Sequence, residues 1–174
     1  MRTKGLKFVF FCLSAALFSG CWWYSFSGTS IPPSVRTIAI AYIDNKAPRV
    51  NPALSNLMTE QLKDKFTKLT RLEIVDAYDD NWDLKIEGNI TGYDSQSIAV
   101  TANEVAAMER LTVTVKMSFQ NKADPSQNFE NKQFAKFSDY PSTKTLDEVE
   151  SGLIQQIVEE LIEEIFNAAV ASNW

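Results

Sequence analysis

Residues 111–120, LTVTVKMSFQ, are the most regular stretch of the chain. Leu111, Val113, Val115, Met117 and Phe119 alternate with Thr112, Thr114, Lys116, Ser118 and Gln120. A period of two sends every apolar side chain to one face, so the stretch reads as a strand with one side on a core and the other polar. Toward the N-terminus, Leu84, Ile86, Gly88 and Ile90 alternate with Lys85, Glu87, Asn89 and Thr91 in the same way. Toward the C-terminus, Asn121 to Gln127 contains the turn signal Ala123-Asp124-Pro125-Ser126. Phe129 to Phe137 then returns as a third antiparallel strand, less regular and suited to an edge. Between the first two strands, Ser95 to Arg110 is long for a hairpin connection. Its Ile98-Ala99-Val100 reads as a strand extension, and the remainder is a candidate functional loop.

The flanks supply the helices. Arg36 to Ile43 places Ile38, Ile40 and Tyr42 on one face and Ala39 and Ala41 on the other, the apolar-on-both-faces pattern of a strand inside a sheet. Asp44 to Val50 reads as a turn. Asn51-Pro52 supplies a cap and a first-turn proline. Leu54, Leu57, Met58, Leu62, Phe66 and Leu69 follow at helical spacing, and Lys63, Lys65 and Lys68 suit the negative end of the helix dipole. Leu72-Glu73-Ile74-Val75 is a second strand, and the short strand–helix–strand order predicts a right-handed crossover with the two strands parallel. At the far end, Thr145 and Glu148 have capping-box spacing. Leu146, Val149, Leu153, Ile157, Leu161, Ile165 and Ala169 form an apolar line, widened by Ile154, Val158, Ile162, Phe166 and Val170. Glu159, Glu160, Glu163 and Glu164 lie opposite. The stripe fits packing on the sheet; its breadth leaves open that it also serves a partner. The sum is an α+β two-layer sandwich, one mixed sheet of four to five strands carrying two helices, with a polar sheet face open.

Residues 1–21 have a different character. Arg2, Lys4 and Lys7 precede an apolar run from Phe8 to Phe18, then Ser19-Gly20-Cys21. Basic, apolar and small-residue regions in that order make a secretory signal peptide. The apolar run is about half of the ~20 residues a membrane-spanning helix needs. The cysteine directly after Ser-Gly resembles the lipobox of bacterial lipoproteins, in which that cysteine is acylated and becomes the first mature residue; Phe18 stands where leucine is usual. The alternatives are an ordinary cleaved signal and an uncleaved anchor. Residues 22–34, WWYSFSGTSIPPS, then read as a tether, extended at Pro32-Pro33, with Trp22, Trp23 and Tyr24 suited to headgroup level or to packing on the domain. The expected organisation is a signal over 1–20, a lipidated tether over 21–34 and a single domain over 35–174.

Composition narrows the chemistry. Without the first 20 residues the chain carries 14 basic and 22 acidic residues, a net charge of −8 against −5 for the whole. Such a surface is a poor match for nucleic acid, whose sequence-independent binding needs cations to displace counterions. Cys12 leaves with the signal and Cys21 carries lipid, so the mature domain has no intramolecular disulfide. The chain has no histidine, which removes Ser-His-Asp and Cys-His catalysis and nearly all zinc, copper or haem sites. Asp76, Asp79, Asp80 and Asp83 cluster without EF-hand spacing or its glycine, and read as a solvated turn with calcium as the alternative. No glycine-rich phosphate loop is present. No cofactor and no enzymatic activity are expected.

A family resemblance runs along the mature chain. Trp22 to Gly28 with Ile31-Pro32-Pro33, Val50 to Ser55, Glu87 to Tyr93 (EGNITGY), Ala106 to Val115 and Ile165 to Val170 with Asn173-Trp174 together resemble lipopolysaccharide-assembly lipoproteins of LptE type, especially the Bacteroidetes branch. Glu109 stands where that branch suggests asparagine. The resemblance implies an outer-membrane lipoprotein facing the periplasm, anchored by acyl chains on Cys21. Its implied partner is the LptD-like β-barrel that exports lipopolysaccharide, which it plugs and helps to assemble. Lipopolysaccharide itself is an implied ligand, with Lys85, Arg110 and Lys116 as candidates for its phosphates. Competing expectations are an accessory lipoprotein of a secretion pore or cell-wall synthase, and an anchored hydrolase.

Overall fold

The computed structural model describes residues 31–98 and 107–171. The expected signal, Cys21, Ala99-Val100 with residues 101–106 of the candidate loop, and Asn173-Trp174 lie outside the described residues; residues 95–98 and 108–110 of that segment belong to the strands themselves.

The elements follow the order β1 (Thr37–Ile40), β2 (Asp44–Asn45), α1 (Pro52–Leu69), β3 (Glu73–Val75), β4 (Leu84–Ile98), β5 (Met108–Asn121), β6 (Phe129–Pro141) and α2 (Leu146–Phe166). A 3-10 turn over Pro125–Gln127 joins β5 to β6, and a π turn over Asn167–Ala171 extends α2. The sheet runs β3-β1-β4-β5-β6, with β2 pairing β4 beyond the end of β1. It is mixed: β3, β1, β2 and β4 are parallel, whereas β4, β5 and β6 form antiparallel pairs. The α+β architecture therefore matches the expectation, with six strands rather than four to five. The sixth is the two-residue β2, within the segment read as a turn; Lys46 N–H donates to the Ile90 carbonyl at 2.8 Å and keeps the chain on β4.

Both helices lie on one face. Leu84, Ile86 and Ile90 of β4 and Leu111, Val113, Val115, Met117 and Phe119 of β5 are buried against Leu54, Met58, Leu62 and Phe66 of α1 and Ile157, Val158, Leu161 and Ile165 of α2. The stripe on α2 is thus consumed within the molecule. The helices meet through the edge-on pair Phe66 and Phe166, centroids 4.9 Å apart, and a Lys65–Glu163 ion pair. Glu164 also has a partner, Lys136 at 2.9 Å, so the acidic face of α2 is partly paired rather than simply solvated.

Sequence-level caps hold. Asn51 Oδ1 accepts from Ala53 N–H at 2.9 Å, and Glu148 Oε2 accepts from Thr145 N–H at 2.7 Å, which draws the Glu148 carboxyl below its ordinary pKa. Two local expectations change. β1 stops at Ile40, so Tyr42 is 51% exposed and Ile43, not Tyr42, enters the core. Residues 31–34 turn back onto the domain instead of running extended: Val35 N–H donates to the Pro32 carbonyl, and Ile31 packs on the core.

One irregularity positions the rest. The β4–β5 register slips between Ile90 and Gly92, leaving Thr91 as a bulged residue. Before it the even-numbered residues face the core; after it the odd-numbered ones do, so Tyr93 is buried opposite Val113. Gly88 permits the close pairing just before: a Cβ there would lie 2.4 Å from the Lys116 carbonyl oxygen.

Candidate functional site

The polar face of the sheet is the surface that helices leave free. Its rows are Lys85, Glu87 and Asn89 on β4, Thr112, Thr114, Lys116, Ser118 and Gln120 on β5, and Gln133, Ala135, Phe137 and Asp139 on β6. At ~3.3 Å per residue, strands of 15, 14 and 13 residues give this face a length of about 45 Å. The same alternation that builds the core builds this surface.

All three residues proposed for lipid phosphates stand on it, but the structure brings only two together. Lys85 and Lys116 line a shallow depression of about 430 Å³ with Tyr42, Tyr78, Asn89 and Ser118. Lys85 is held at 2.8 Å from Glu87, whereas Lys116 is exposed with no ion pair among the described residues. Tyr78 is 94% exposed, its backbone fixed by Asp76 Oδ1 accepting from Tyr78 N–H at 2.9 Å. Asn131, at positive φ in a β6 bulge, closes the rim by donating its N–H to Ser118 Oγ at 3.0 Å. Asparagine is among the few non-glycine residues that tolerate this conformation.

Arg110 lies six residues farther along β5, about 20 Å from Lys116. Its guanidinium meets Asp139 through two bonds of 2.7 and 2.8 Å and stacks on Phe137 at 3.6 Å. Asp139 is held below the ordinary carboxylate range by this bond. The arginine therefore ties β5 to β6, and its fork is already filled.

The acidic cluster has separate tasks. Asp83 Oδ2 accepts from Arg36 N–H at 2.8 Å, Thr37 N–H at 3.0 Å and Thr37 Oγ1 at 3.1 Å, and these bonds draw its pKa below the ordinary value. Asp76 serves the Tyr78 turn, and the Asp80 carbonyl accepts from Lys122 Nζ at 2.6 Å. Among the described residues no group of acids converges as a metal site. A second buried network sits toward the far end of the hairpin. Tyr93 donates to Glu150, and Tyr140 OH donates to Glu109 Oε2 at 2.6 Å while lying 2.7 Å from Ser95 Oγ. Burial, then the neighbouring carboxylate, raises both phenol pKa values, so these tyrosines are donors in neutral form.

The residues missed from sequence are Tyr42 and Tyr78, aromatic walls of the depression. Tyr42 looked like a core position by parity, and Tyr78 sits in a polar turn without periodicity. An aromatic residue inside such a turn was the available signal.

The family model described as LptE, Lipopolysaccharide-assembly, matches residues 35–169, almost the whole folded domain. The chain belongs to the LptE family. The role that the family description gives is lipopolysaccharide assembly. A search of curated proteins finds no match. Among solved structures, this LptE-family chain is similar to a minor lipoprotein of Acinetobacter baumannii, at 15% identity, covering 77% of this chain and 90% of that one, TM-score 0.47. It is also similar to uncharacterized lipoprotein B of Nitrosomonas europaea, at 11% identity, covering 75% and 79%, TM-score 0.48.

Proposed function

We propose that this LptE-family protein is a lipoprotein anchored through acylated Cys21 in the outer membrane, where it plugs and helps assemble the β-barrel that exports lipopolysaccharide. The observation that carries this reading is the family match over 35–169. The open face supports it physically, because a plug must offer polar side chains to a polar barrel lumen. The anchor in this reading is the acyl group on Cys21, which follows Ser19-Gly20 in the lipobox-like segment. Several buried acyl tails at ~0.8 kcal/mol per methylene make such an anchor durable.

Lipopolysaccharide contact is assigned to Lys85 and Lys116, whose depression combines cations with exposed tyrosines. Arg110 belongs to the same face as a weaker candidate, since phosphate would have to displace Asp139. Replacing Lys85 and Lys116 by glutamate should lower lipopolysaccharide binding at least tenfold while leaving the thermal midpoint nearly unchanged. Unaltered binding would remove these two residues from the site.

The direct test is affinity purification of the full-length protein from detergent-solubilised native membranes. The expected co-purifying species is the lipopolysaccharide-export barrel. Recovery of a secretion pore or a cell-wall synthase instead would replace the proposal. Cys21→Ala should leave the fold intact and release the protein from the membrane fraction; continued acyl labelling of that variant would refute the anchor.

A further inference from the structure

We propose that the end of the domain where the tether enters is a docking surface for an anionic phospholipid bilayer. The inference rests on the acyl anchor at Cys21 and adds an orientation to it. At this end α1 finishes, β1 and β3 begin, and a cleft of about 520 Å³ is lined by Pro32, Pro33, Arg36, Lys68, Leu69 and Arg71, among others. None of its lining residues is acidic. Arg36 and Arg71 are exposed and have no ion pair among the described residues. Lys68 pairs with Asp64 at 2.7 Å, but both side chains are largely solvated, and such a pair is weak and screened. The cations surround the C-terminal end of α1, whose free carbonyls favour positive charge. Leu69 is 50% exposed among them, an apolar side chain within a ring of cations.

Position gives the surface its occupant. Ile31 lies ten residues beyond Cys21, and an extended chain spans at most ~3.6 Å per residue, so the cleft is held within about 35 Å of the lipid. Residues 22–30 carry no charged side chain, so the tether does not neutralise the cleft. The chain beyond the signal carries a net −8 and is repelled by an anionic surface as a whole; only a locally basic pole can approach it within the ~8 Å screening length. The fold does not need the Arg36 side chain, because its bond to Asp83 is made by the backbone N–H.

The test uses the lipidated full-length protein carrying Leu69→Cys, labelled with a polarity-sensitive fluorophore. It is reconstituted on vesicles of phosphatidylcholine alone or of phosphatidylcholine with phosphatidylglycerol. Flotation reads the anchor, and the label reads docking. The expected result is flotation on both vesicles, with a blue-shifted, less quencher-accessible label only on the anionic ones. That shift should disappear at high salt and in Arg36→Gln/Arg71→Gln, which still floats. Flotation with the same label signal on both vesicles overturns docking and leaves the anchor standing. Failure to float on either overturns the anchor and the docking that rests on it.

Discussion

At Asp83 one carboxylate oxygen accepts three hydrogen bonds from the start of β1, while Asp83 N–H donates to Thr37 Oγ1 at 2.9 Å. This reciprocal clamp fixes the parallel register of β1 on β4 where the two strands begin. Asp83→Ala leaves two backbone donors without their acceptor and should cost about 1–3 kcal/mol in urea denaturation. The sign of its pH dependence follows from the lowered native pKa. The clamp's contribution is complete above the unfolded carboxylate value of 3.8 and is lost as pH falls from there through the lower native value. The wild-type advantage over Asp83→Ala should therefore shrink below about pH 4. Sequence alone showed only four aspartates in a polar stretch. Which of them meets a strand 46 positions away depends on β1 lying beside β4, a tertiary fact invisible in local spacing. Arg110 was equally opaque. A lone arginine before a strand suggests a ligand, and only its register with Asp139 reveals the internal fork.

The strands and helices were far more legible, because each follows from local periodicity. The alternation in 111–120 matches five fully or almost fully buried side chains on β5, and the stripe from Ile154 to Val170 matches the buried side of α2. The bulge at Thr91 was not legible. Thr91-Gly92-Tyr93 continues a plausible strand, and nothing local says that the parity changes there. Its consequence is large, since Tyr93 would otherwise face solvent rather than Val113 and Glu150. Deleting Thr91 should remove the bulge while Ile90, Gly92 and Tyr93 keep Val115, Thr114 and Val113 as partners, so the Tyr93 ring stays inward and stability changes little. Replacing Tyr93 by alanine should cost about 3 kcal/mol or more, the scale of removing a buried aromatic side chain. A Tyr93→Ala chemical denaturation curve superposable on wild type would show that the ring contributes nothing to the core.

For the molecule as a whole, the layout is directional. The described chain starts at one end of the sheet, and the β4–β5 hairpin strands run about 45 Å toward the other, with both helices on one side. The opposite side is a long polar face on which no described helix packs. The chain belongs to a lipopolysaccharide-assembly family, and the proposed plug would meet its barrel through this face. The decisive measurement is photo-crosslinking in living cells from a benzophenone side chain at Ser118, on the central strand of that open face. The account predicts a covalent adduct with the lipopolysaccharide-export barrel. A strong adduct with a pore or synthase component instead, or no barrel adduct from Ser118 while the protein remains membrane-bound, would contradict it.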